Sequence, residues 1–455
     1  MHDFLISAAA FVVLVGVMVV VHEFGHFAVA KFFKVRVEAF SFGFGPRLFG
    51  FKYGDTDYKV CLLPLGGFVK MTGENPGEEE PVDDPGAFNA HPRWQRMLIG
   101  VAGPAANFIL AFVLMIFYFG WINEVPNIKT TTLEWVTPGS LADQAGLRPG
   151  DTVRKFASVE NPDWETFHDL ARDNQDRTVS VTVDRNGQLI QTAVHLPARE
   201  GGKDFDVEKG GIFVQLVGGP IGVDEVLPGY PAEQAGLKAG DSILSADGHI
   251  FHTVEPLLDY LQVGKGKPVT LAVVRNGAAP FPVVVHPTIQ DSGQDSEWRL
   301  GFKPLQPPDP PVRIKPLSFS AAVTEAGGFS SENFVMILEV LHKLVMHQVS
   351  VKQLSGPVGI AVAAGQAAKT RYWYPKFVLA AGISINLGII NLLPFPILDG
   401  GMILLLLIES TIRRDISINV KERIYQAAFV VLMAFFAFVI FNDVSKLPFF
   451  SHLKP

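Results

Sequence analysis

The sequence predicts a polytopic membrane protein with four transmembrane helices, a membrane-associated β-hairpin and a duplicated α+β module outside the membrane. Three observations predict this fold class. Four long segments are apolar and nearly free of charge, Lys and Arg cluster on one side of them, and one motif occurs twice between the second and third segments. The composition agrees, because 48% hydrophobic residues and a mean hydropathy of +0.26 lie between soluble proteins and pure membrane bundles.

Charge and cysteine content exclude some classes of protein. The net charge is -7 and no basic tract occurs, so we expect no nucleic-acid partner. The single cysteine, Cys61, rules out an intrachain disulfide and a Cys-rich metal module. Any exported domain must therefore fold without disulfide bonds.

The predicted spans are residues 4–30, 97–121, 376–409 and 424–441, of which the third is interrupted by prolines. Each is long enough for a hydrocarbon core of about 30 Å. At about 1.5 Å per residue, a helix from residue 4 to His22 rises about 27 Å, so His22 lies near the far end of the first span.

The distribution of Lys and Arg predicts the orientation, because cytoplasmic loops carry the excess of basic residues. No Lys or Arg precedes the first span. Basic residues follow that span, precede the second and fill the gap between the third and fourth: Lys31, Lys34, Arg36, Arg93, Arg96, Arg413, Arg414, Lys421 and Arg423. Both termini and the section 122–374 are therefore predicted outside, and His22 lies toward the cytoplasm.

The first span ends in the motif His22-Glu23-Phe24-Gly25-His26. Positions i and i+4 share a helix face, so both imidazoles can bind one metal ion, with Glu23 placed to take a proton from water. Ionisable groups within a span are costly and usually mark function. A signal peptide would also explain the apolar start, but the chain begins without a basic n-region and no small-residue cleavage site follows.

The motif favours a zinc hydrolase that works inside a membrane. Such an enzyme needs a third protein ligand for its metal ion, and Asp399 is the candidate. Pro394 and Pro396 break the third span just before it, which lets side chains face a cavity. A helix cap is the alternative role for Asp399. Asn391, in the same segment, is a candidate to orient substrate or polarise the attacked carbonyl, or only to satisfy the broken helix.

Residues 35–71 predict a β-hairpin, with strand-like segments at 36–43 and 58–63 separated by Gly and Pro. The hypothesis is that the hairpin dips into the cytoplasmic leaflet beside the metal and takes the substrate as an added strand. Tyr58 and Val60 are the predicted contact positions. A soluble cytoplasmic hairpin is the alternative.

The exported section contains an internal repeat. The pattern P-G-x-x-A-x-x-A-G-L-x-x-G-D begins at Pro138 and again at Pro228, an offset of 90 residues that also relates Arg185 to Arg275. This pattern resembles PDZ domains of the bacterial, circularly permuted kind, over about residues 124–310. The resemblance implies a first PDZ-like domain at 124–219 and a second at 220–310.

PDZ domains bind extended peptides, often at carboxyl termini, by adding a strand to a sheet edge. The resemblance places the carboxylate-binding loops at Gly211-Ile212 and Gly301-Phe302. These glycines serve strand turns in the alternative interpretation, and the pair of domains is alternatively a filter that excludes substrates with large external domains. Residues 306–311 are interpreted as a stiff linker, and residues 331–349 as an amphipathic helix at the outer membrane surface.

The motifs together resemble the site-2 protease family of intramembrane zinc metalloproteases, and specifically its Gram-negative members that regulate the sigma-E envelope stress response. The resemblance rests on H-E-F-G-H, on N-x-x-P-x-P-x-L-D-G from Asn391 to Gly400 and on the two PDZ-like modules. G-P-A-A-N at 103–107 and S-G-P-V-G at 355–359 also match. The predicted domains are 1–123 and 376–455 for the membrane core, with 311–375 between the second module and the third span.

The resemblance implies one Zn²⁺ held by His22, His26 and Asp399, with Glu23 as the catalytic base. It implies cleavage of single-span substrates in the bacterial inner membrane after a first external cut, with an anti-sigma factor and remnant signal peptides as substrate types. Two other classes are weighed. A membrane-anchored scaffold would use only the PDZ-like modules, and a metal transporter would use His and Asp to conduct ions.

Overall fold

The chain divides into two compact units in the computed structural model, which describes residues 2–74, 84–198, 205–215, 219–291, 296–305, 311–346, 348 and 356–445. Unit one comprises Met1–Glu124 and Ile314–Pro455, and unit two comprises Val125–Arg313. The predicted linker positions 306–310 and Ser355 of the S-G-P-V-G motif lie outside the described residues.

The helices of the described residues are α1 (His2–Phe32), α2 (Arg93–Phe117), α3 (Leu141–Gln144), α4 (Trp164–Asp173), α5 (Pro231–Gln234), α6 (Val254–Gly264), α7 (Phe319–Val345), α8 (Pro357–Lys369), α9 (Tyr374–Asn391), α10 (Asp399–Ile412) and α11 (Ile418–Ser445). A 3-10 turn covers Phe88–Ala90, and a π-helical turn, Tyr118–Ile122, extends α2.

The strands are β1 (Val37–Tyr53), β2 (Thr56–Met71), β3 (Glu124–Pro126), β4 (Leu133–Val136), β5 (Thr152–Phe156), β6 (Val159–Glu160), β7 (Thr178–Arg185), β8 (Gln188–His195), β9 (Ile212–Val214), β10 (Ile221–Val226), β11 (Ser242–Ala246), β12 (His249–Ile250), β13 (Val269–Val274), β14 (Phe281–Val285), β15 (Thr288–Asp291), β16 (Ser296–Arg299), β17 (Phe302–Pro304) and β18 (Val312–Ile314).

Three helical segments of the described residues are long and apolar enough to cross a membrane: Leu5–Phe32, Arg93–Ile122 and Ile418–Asp443. The predicted third span is instead two helices, α9 and α10, of 18 and 14 residues, separated by residues 392–398. Pro394 and Pro396 lie in that gap, where they lack the N–H that helix continuation requires. The prediction of a membrane protein with β-sheets is confirmed, whereas the fourth crossing stays a prediction.

The hairpin folds back on itself, so its two long strands pair in more than one register. Residues 39–42 of β1 pair with 67–70 of β2 on one side and with 57–60 of β2 on the other. Residues 57–60 pair in turn with 49–52 of β1. The sheet thus consists of adjacent rows of paired residues, and the two outer rows are 47–53 and 67–71. Tyr58 pairs with both Phe40 and Phe51, and Val60 pairs with both Phe42 and Phe49, so both predicted contact positions lie in an interior row.

Helix α7 differs from its prediction in position and packing. It begins at Phe319 rather than at residue 331, with the Ser318 hydroxyl accepting the Ala321 N–H at its N-cap. Its inner face packs against α2 and α9, where Phe334 contacts Phe108 and Ala326 is fully buried. The helix is thus part of the packed core of unit one.

Unit two contains two apolar cores. The first is built on the sheet β6-β5-β7-β8 with the pair β4-β9, and it includes Phe156 and Phe167. The second is built on the sheet β14-β13-β11-β10-β17, and it includes Leu257 and Leu271. Trp135 of β4 joins the two halves, because its ring packs in the second core and its indole N–H donates to Asp259 at 2.7 Å.

The two halves repeat the same elements. Elements α3, β5, α4 and β9 begin 90 residues before α5, β11, α6 and β17, respectively. One ion pair recurs at the same offset: Arg185 Nε lies 2.7 Å from Asp151, and Arg275 Nε lies 2.6 Å from Asp241. Both aspartates are buried. The pattern found in the sequence therefore corresponds to equivalent positions in the folded chain.

Candidate active site

Two histidines of α1 and one aspartate of α10 converge on one point. His22 Nε2 lies 3.1 Å from Asp399 Oδ2, His26 Nε2 lies 3.4 Å from the same oxygen, and the two Nε2 atoms are 3.2 Å apart. Both histidines are buried, with 6% and 7% of their surface exposed. Asp399 is the first residue of α10, directly after the break in the third predicted span.

This arrangement fits a tetrahedral metal ion. Two ligand atoms at 2.0–2.1 Å from such an ion lie about 3.3 Å apart, close to the three distances between these atoms. The buried Asp399 Oδ2 makes no hydrogen bond of good geometry with the described residues, although it faces both rings. Imidazole and carboxylate suit zinc, and a buried carboxylate oxygen without a partner is expected where a cation completes the site.

The backbone of α2 fixes the tautomer of His26. Its Nδ1 lies 2.7 Å from the carbonyl oxygen of Ile99. A carbonyl only accepts hydrogen bonds, so Nδ1 carries the proton and Nε2 presents its lone pair toward Asp399 and His22. Glycines allow this approach of the two helices: a Cβ at Gly103 would collide with the His26 ring, and a Cβ at Gly25 with the carbonyl of Ala102.

Two asparagines lie against His22. Asn391, at the end of α9, places its side-chain nitrogen 3.2 Å from Nε2, on the side of the ring that faces Asp399. Asn107 of α2 places its side-chain nitrogen 3.3 Å from Nδ1, on the opposite side of the ring. Asn107 is fully buried. The site thus draws side chains from α1, α2, α9 and α10.

Glu23 lies beside the outer strand row of the hairpin. Its Cγ is one of the atoms that a Cβ at Gly67 would meet, at 3.2 Å, and the main chain of Val69 is within hydrogen-bonding reach of its carboxylate. Row 67–71 pairs with residues 37–42 on one side, and on its other side no further strand of the described residues pairs with it. The acid of the motif and this strand edge are therefore neighbours.

A cavity of about 930 Å³ opens from the site. His22, Glu23, His26 and Asp399 line one end. Glu409 and Lys421, which form an ion pair at 2.7 Å, line another part together with Arg96, Glu74 and Tyr425. The polar wall makes this cavity suitable for water, although it lies among apolar helices.

Comparison with known proteins identifies the family. The model of peptidase family M50 matches residues 10–435. The regulator of sigma-E protease RseP of Salmonella typhimurium is 34% identical over an aligned length of 461 positions. The alignment covers 98% of this chain and all of the relative. RseP of Escherichia coli is 33% identical over the same shares, and a "Putative zinc metalloprotease" of Vibrio cholerae is 32% identical.

The chain belongs to peptidase family M50. The family match covers both α1, with its histidines, and α10, with Asp399. The prediction of the site-2 protease family is therefore confirmed, as is the predicted resemblance to its sigma-E-regulating members. A protease associated with a membrane is the activity class that this membership supports.

The predicted site residues of unit one lie in two places, the first at the cluster of His22, His26 and Asp399 and the second within the hairpin. His22, Glu23, His26, Asp399 and Asn391 come together at one end of the cavity or directly beside it. Tyr58 and Val60, the predicted contact positions for substrate, are paired on two sides, so the strand edge lies elsewhere and their contact with substrate stays a prediction. Phe68 and Val69, from the outer row of the same strand, line the cavity instead.

The predicted PDZ loop positions lie in unit two at equivalent places. Gly211 and Gly301 have φ angles of +83° and +85°, and a side chain at either would collide with Ser140 or Tyr230. Their carbonyls accept the N–H groups of Thr137 and Leu227, which lie 90 residues apart. Ile212 and Phe302 begin β9 and β17. Among the described residues, β9 pairs only with β4 and β17 only with β10, so each strand keeps a free edge.

Sequence reasoning missed three groups of this M50 site: the Ile99 carbonyl, Gly103 and the Asn107 side chain. They occupy positions i, i+4 and i+8 of α2 and therefore share the face that meets α1. The G-P-A-A-N match contained two of them. Their spacing along one helix face, parallel to the histidine spacing, was the signal available in the sequence.

Proposed function

We propose that this chain is a zinc-dependent endopeptidase that cuts single-span membrane proteins within their transmembrane segment. The convergence of His22, His26 and Asp399 beside Glu23, at one end of a polar cavity between apolar helices, carries this proposal. The three ligand atoms leave a tetrahedral ion one open position, which is the arrangement of catalytic rather than structural zinc sites.

His22 and His26 would hold the zinc through Nε2, and Asp399 through Oδ2. Zinc in such a site supplies Lewis acidity, which makes water a nucleophile near neutral pH and polarises a carbonyl. Glu23 takes the proton from the attacking water and passes it to the amine of the cleaved peptide bond. Asn391 is placed to donate to the oxygen of the scissile carbonyl, because its amide lies beside Nε2 of His22.

The substrate must be unwound before it is cut, because a transmembrane helix hides its peptide bonds in its own hydrogen bonds. The outer edge of row 67–71, with which no further strand of the described residues pairs, can replace those bonds by taking the unwound segment as an added strand. Its position beside Glu23 brings that segment to the base. Exposed apolar side chains on the other end of the hairpin, Phe49 and Phe51 among them, favour insertion of the hairpin into lipid.

The proposed location is the bacterial inner membrane, with four crossings and both termini in the periplasm. The broken third span and the basic residues at the ends of the other three support this topology. The cavity then leads from the metal site toward the cytoplasm and admits water. Unit two, with its two apolar cores, is periplasmic.

The two halves of unit two act as PDZ modules in this proposal. Their equivalent elements and the free edges of β9 and β17 support peptide binding by strand addition. Peptide termini exposed by a first external cut are the expected ligands, and exclusion of large external domains is the second role of the pair. Anti-sigma factors and remnant signal peptides are the proposed substrate types, since related proteins are named regulators of sigma-E protease.

A cleavage assay with a labelled single-span substrate tests the proposal. The purified wild-type chain cuts the substrate, a chelator stops cleavage and zinc restores it. Glu23→Gln abolishes cleavage but retains zinc, whereas Glu339→Gln, on the exposed part of α7, cleaves as the wild type does.

Two results would contradict the proposal. Appreciable cleavage by Glu23→Gln removes Glu23 from its role. Binding of peptides to unit two without any cleavage by the wild-type chain favours a scaffold over an enzyme.

A further inference from the structure

We infer that Asn107 is a positioning residue of the metal site: its side-chain carbonyl accepts the Nδ1–H of His22 and so directs Nε2 of that ring to the ion. This inference rests on the proposed zinc site. It assigns a role to a buried side chain of α2 that touches neither the ion nor the substrate.

The two ring nitrogens of His22 have different surroundings. Nε2 lies 3.1 Å from Asp399 Oδ2 and 3.2 Å from His26 Nε2, so it is the nitrogen that faces the ion. A neutral imidazole that binds a metal through Nε2 carries its proton on Nδ1. This Nδ1–H is a donor inside the protein, and a buried donor without an acceptor costs about 1–3 kcal/mol.

The side chain of Asn107 is the acceptor for the Nδ1–H of His22. The side-chain amide of Asn107 lies 3.3 Å from His22 Nδ1, and the residue is fully buried. Its nitrogen faces the ring, while its Oδ1 is buried with no hydrogen-bond partner among the described residues. An amide N–H₂ opposite a ring N–H would place two donors against each other. A half-turn of the carboxamide about Cβ–Cγ puts Oδ1 against Nδ1 and converts this pair into a hydrogen bond.

The two proposed ligand histidines each direct Nδ1 to a group on α2. His26 already has its acceptor, the carbonyl oxygen of Ile99 at 2.7 Å. Ile99 and Asn107 are two turns apart on α2, and Gly103 between them leaves room for the His26 ring. The same helix face thus serves both rings, with a backbone carbonyl for His26 and a side-chain carbonyl for His22. Only the second acceptor can be removed by substitution.

The positioning role of the Asn107 side chain can be distinguished from the part that Asn107 plays in helix packing. The backbone carbonyl of Asn107 accepts the Ser384 hydroxyl at 2.8 Å, and this bond links α2 to α9. A substitution of Ser384 disturbs the packing around Asn107 without touching His22. A substitution of the Asn107 side chain removes the acceptor and leaves the backbone bond in place. The pair therefore distinguishes the two roles.

The test is zinc affinity of the purified full-length chain, measured by competition with a chromophoric chelator, together with the absorption spectrum of the Co²⁺ form. Asn107→Leu, of similar volume and without an acceptor, weakens zinc binding 10–100-fold and shifts the Co²⁺ spectrum. Asn107→Asp keeps an acceptor and binds zinc at least as tightly as the wild type. Ser384→Ala binds zinc within twofold of the wild type.

Each other outcome decides against the inference or against its basis. Equal zinc affinity of Asn107→Leu and the wild type overturns the inference, as does equal weakening by Asn107→Leu and Ser384→Ala. If Asn107→Leu does not fold, Asn107→Asp decides, and tenfold weaker zinc binding by that variant overturns the inference. Absence of zinc from the wild-type chain refutes the proposed function instead, so the two failures are distinguishable.

Discussion

Glycines at the contact between α1 and α2 matter as much to the site as its ligands do. Gly103 lies against the ring of His26, and Gly25 lies against the carbonyl of Ala102. With a side chain at either position the two helices could not approach to the distance at which Ile99 accepts from His26. The position of the metal ligands thus depends on residues that carry no chemistry of their own.

Gly103→Ala tests this dependence. The added methyl group pushes the His26 ring from its place, at a cost of about 1–3 kcal/mol for overpacking, so zinc affinity and cleavage both fall at least tenfold. Gly382→Ala, in α9, adds the same group where no atom beyond its chain neighbours and its own helix backbone lies within 4 Å, and it leaves both unchanged. The measurement is zinc affinity of both variants by chelator competition. Equal affinities would show that the helix contact is not decisive.

The proposed ligands were predictable from the sequence, and their supporting residues were not. His22 and His26 follow from the spacing of one motif, and Asp399 follows from its place after two prolines. Gly103 and Asn107 act through the register of α2 against α1. Their spacing shows only that they share one face of α2; which face meets α1, and in which register, is set by packing over the whole helix contact, which no local pattern specifies.

The hairpin shows the same limit at the level of elements. Alternation and turn residues predicted strands within 35–71, and the structure contains β1 and β2 there. Pairing of residues 39–42 with two different parts of β2 is a non-local property. It places Tyr58 and Val60 inside the sheet and leaves row 67–71 at its edge, so the hairpin was predictable but the position of its edge was not.

Disulfide crosslinking locates the strand that meets the substrate. The chain has one cysteine, Cys61, so a Cys61→Ala background carries single cysteines without interference. In a Glu23→Gln variant that holds its substrate, Val69→Cys crosslinks to a substrate cysteine near the cleavage position, whereas Val60→Cys does not. Crosslinks at residue 60 and none at residue 69 would refute strand addition at row 67–71.

The repeated ion pair of unit two gives a pH-dependent prediction. The Arg275 guanidinium lowers the pKa of the Asp241 carboxyl below its usual value. A lowered pKa stabilises the fold above the ordinary aspartate value of about 3.9, and this contribution is lost as pH falls through the lowered pKa. Asp241 also accepts the Lys238 N–H, so its replacement leaves two donors without a charged acceptor.

Asp241→Asn therefore destabilises residues 125–313, expressed alone, by about 1–3 kcal/mol at pH 7. The difference from the wild type shrinks as pH falls below about 4, because the carboxyl of the unfolded wild-type chain is then protonated, and it vanishes once pH falls through the lowered pKa of the folded chain. Asp224→Asn, on an exposed position of β10, has no such effect. Thermal unfolding followed by circular dichroism at pH 7 and at lower pH measures both. A difference that persists at every pH contradicts the ion-pair explanation.

At the scale of the whole molecule, unit one carries the ligand set and unit two carries the repeated modules. Length, hydropathy and the internal repeat predicted a membrane core and a repeated section outside the membrane, because those signals extend over many residues, and the bounds of the individual domains stay predictions. The third span was predicted as one interrupted segment, 376–409, and it consists of two helices, α9 and α10, so this crossing stays a prediction. That break is also what brings Asp399 to the histidines of α1.

The most direct test of the account is the zinc content of the purified, cleavage-competent chain. Elemental analysis is expected to give about one zinc per chain for the wild type and for Glu23→Gln, and far less for His22→Ala and for Asp399→Ala. A wild-type chain that cleaves its substrate without stoichiometric metal would contradict the account, as would full zinc content in Asp399→Ala.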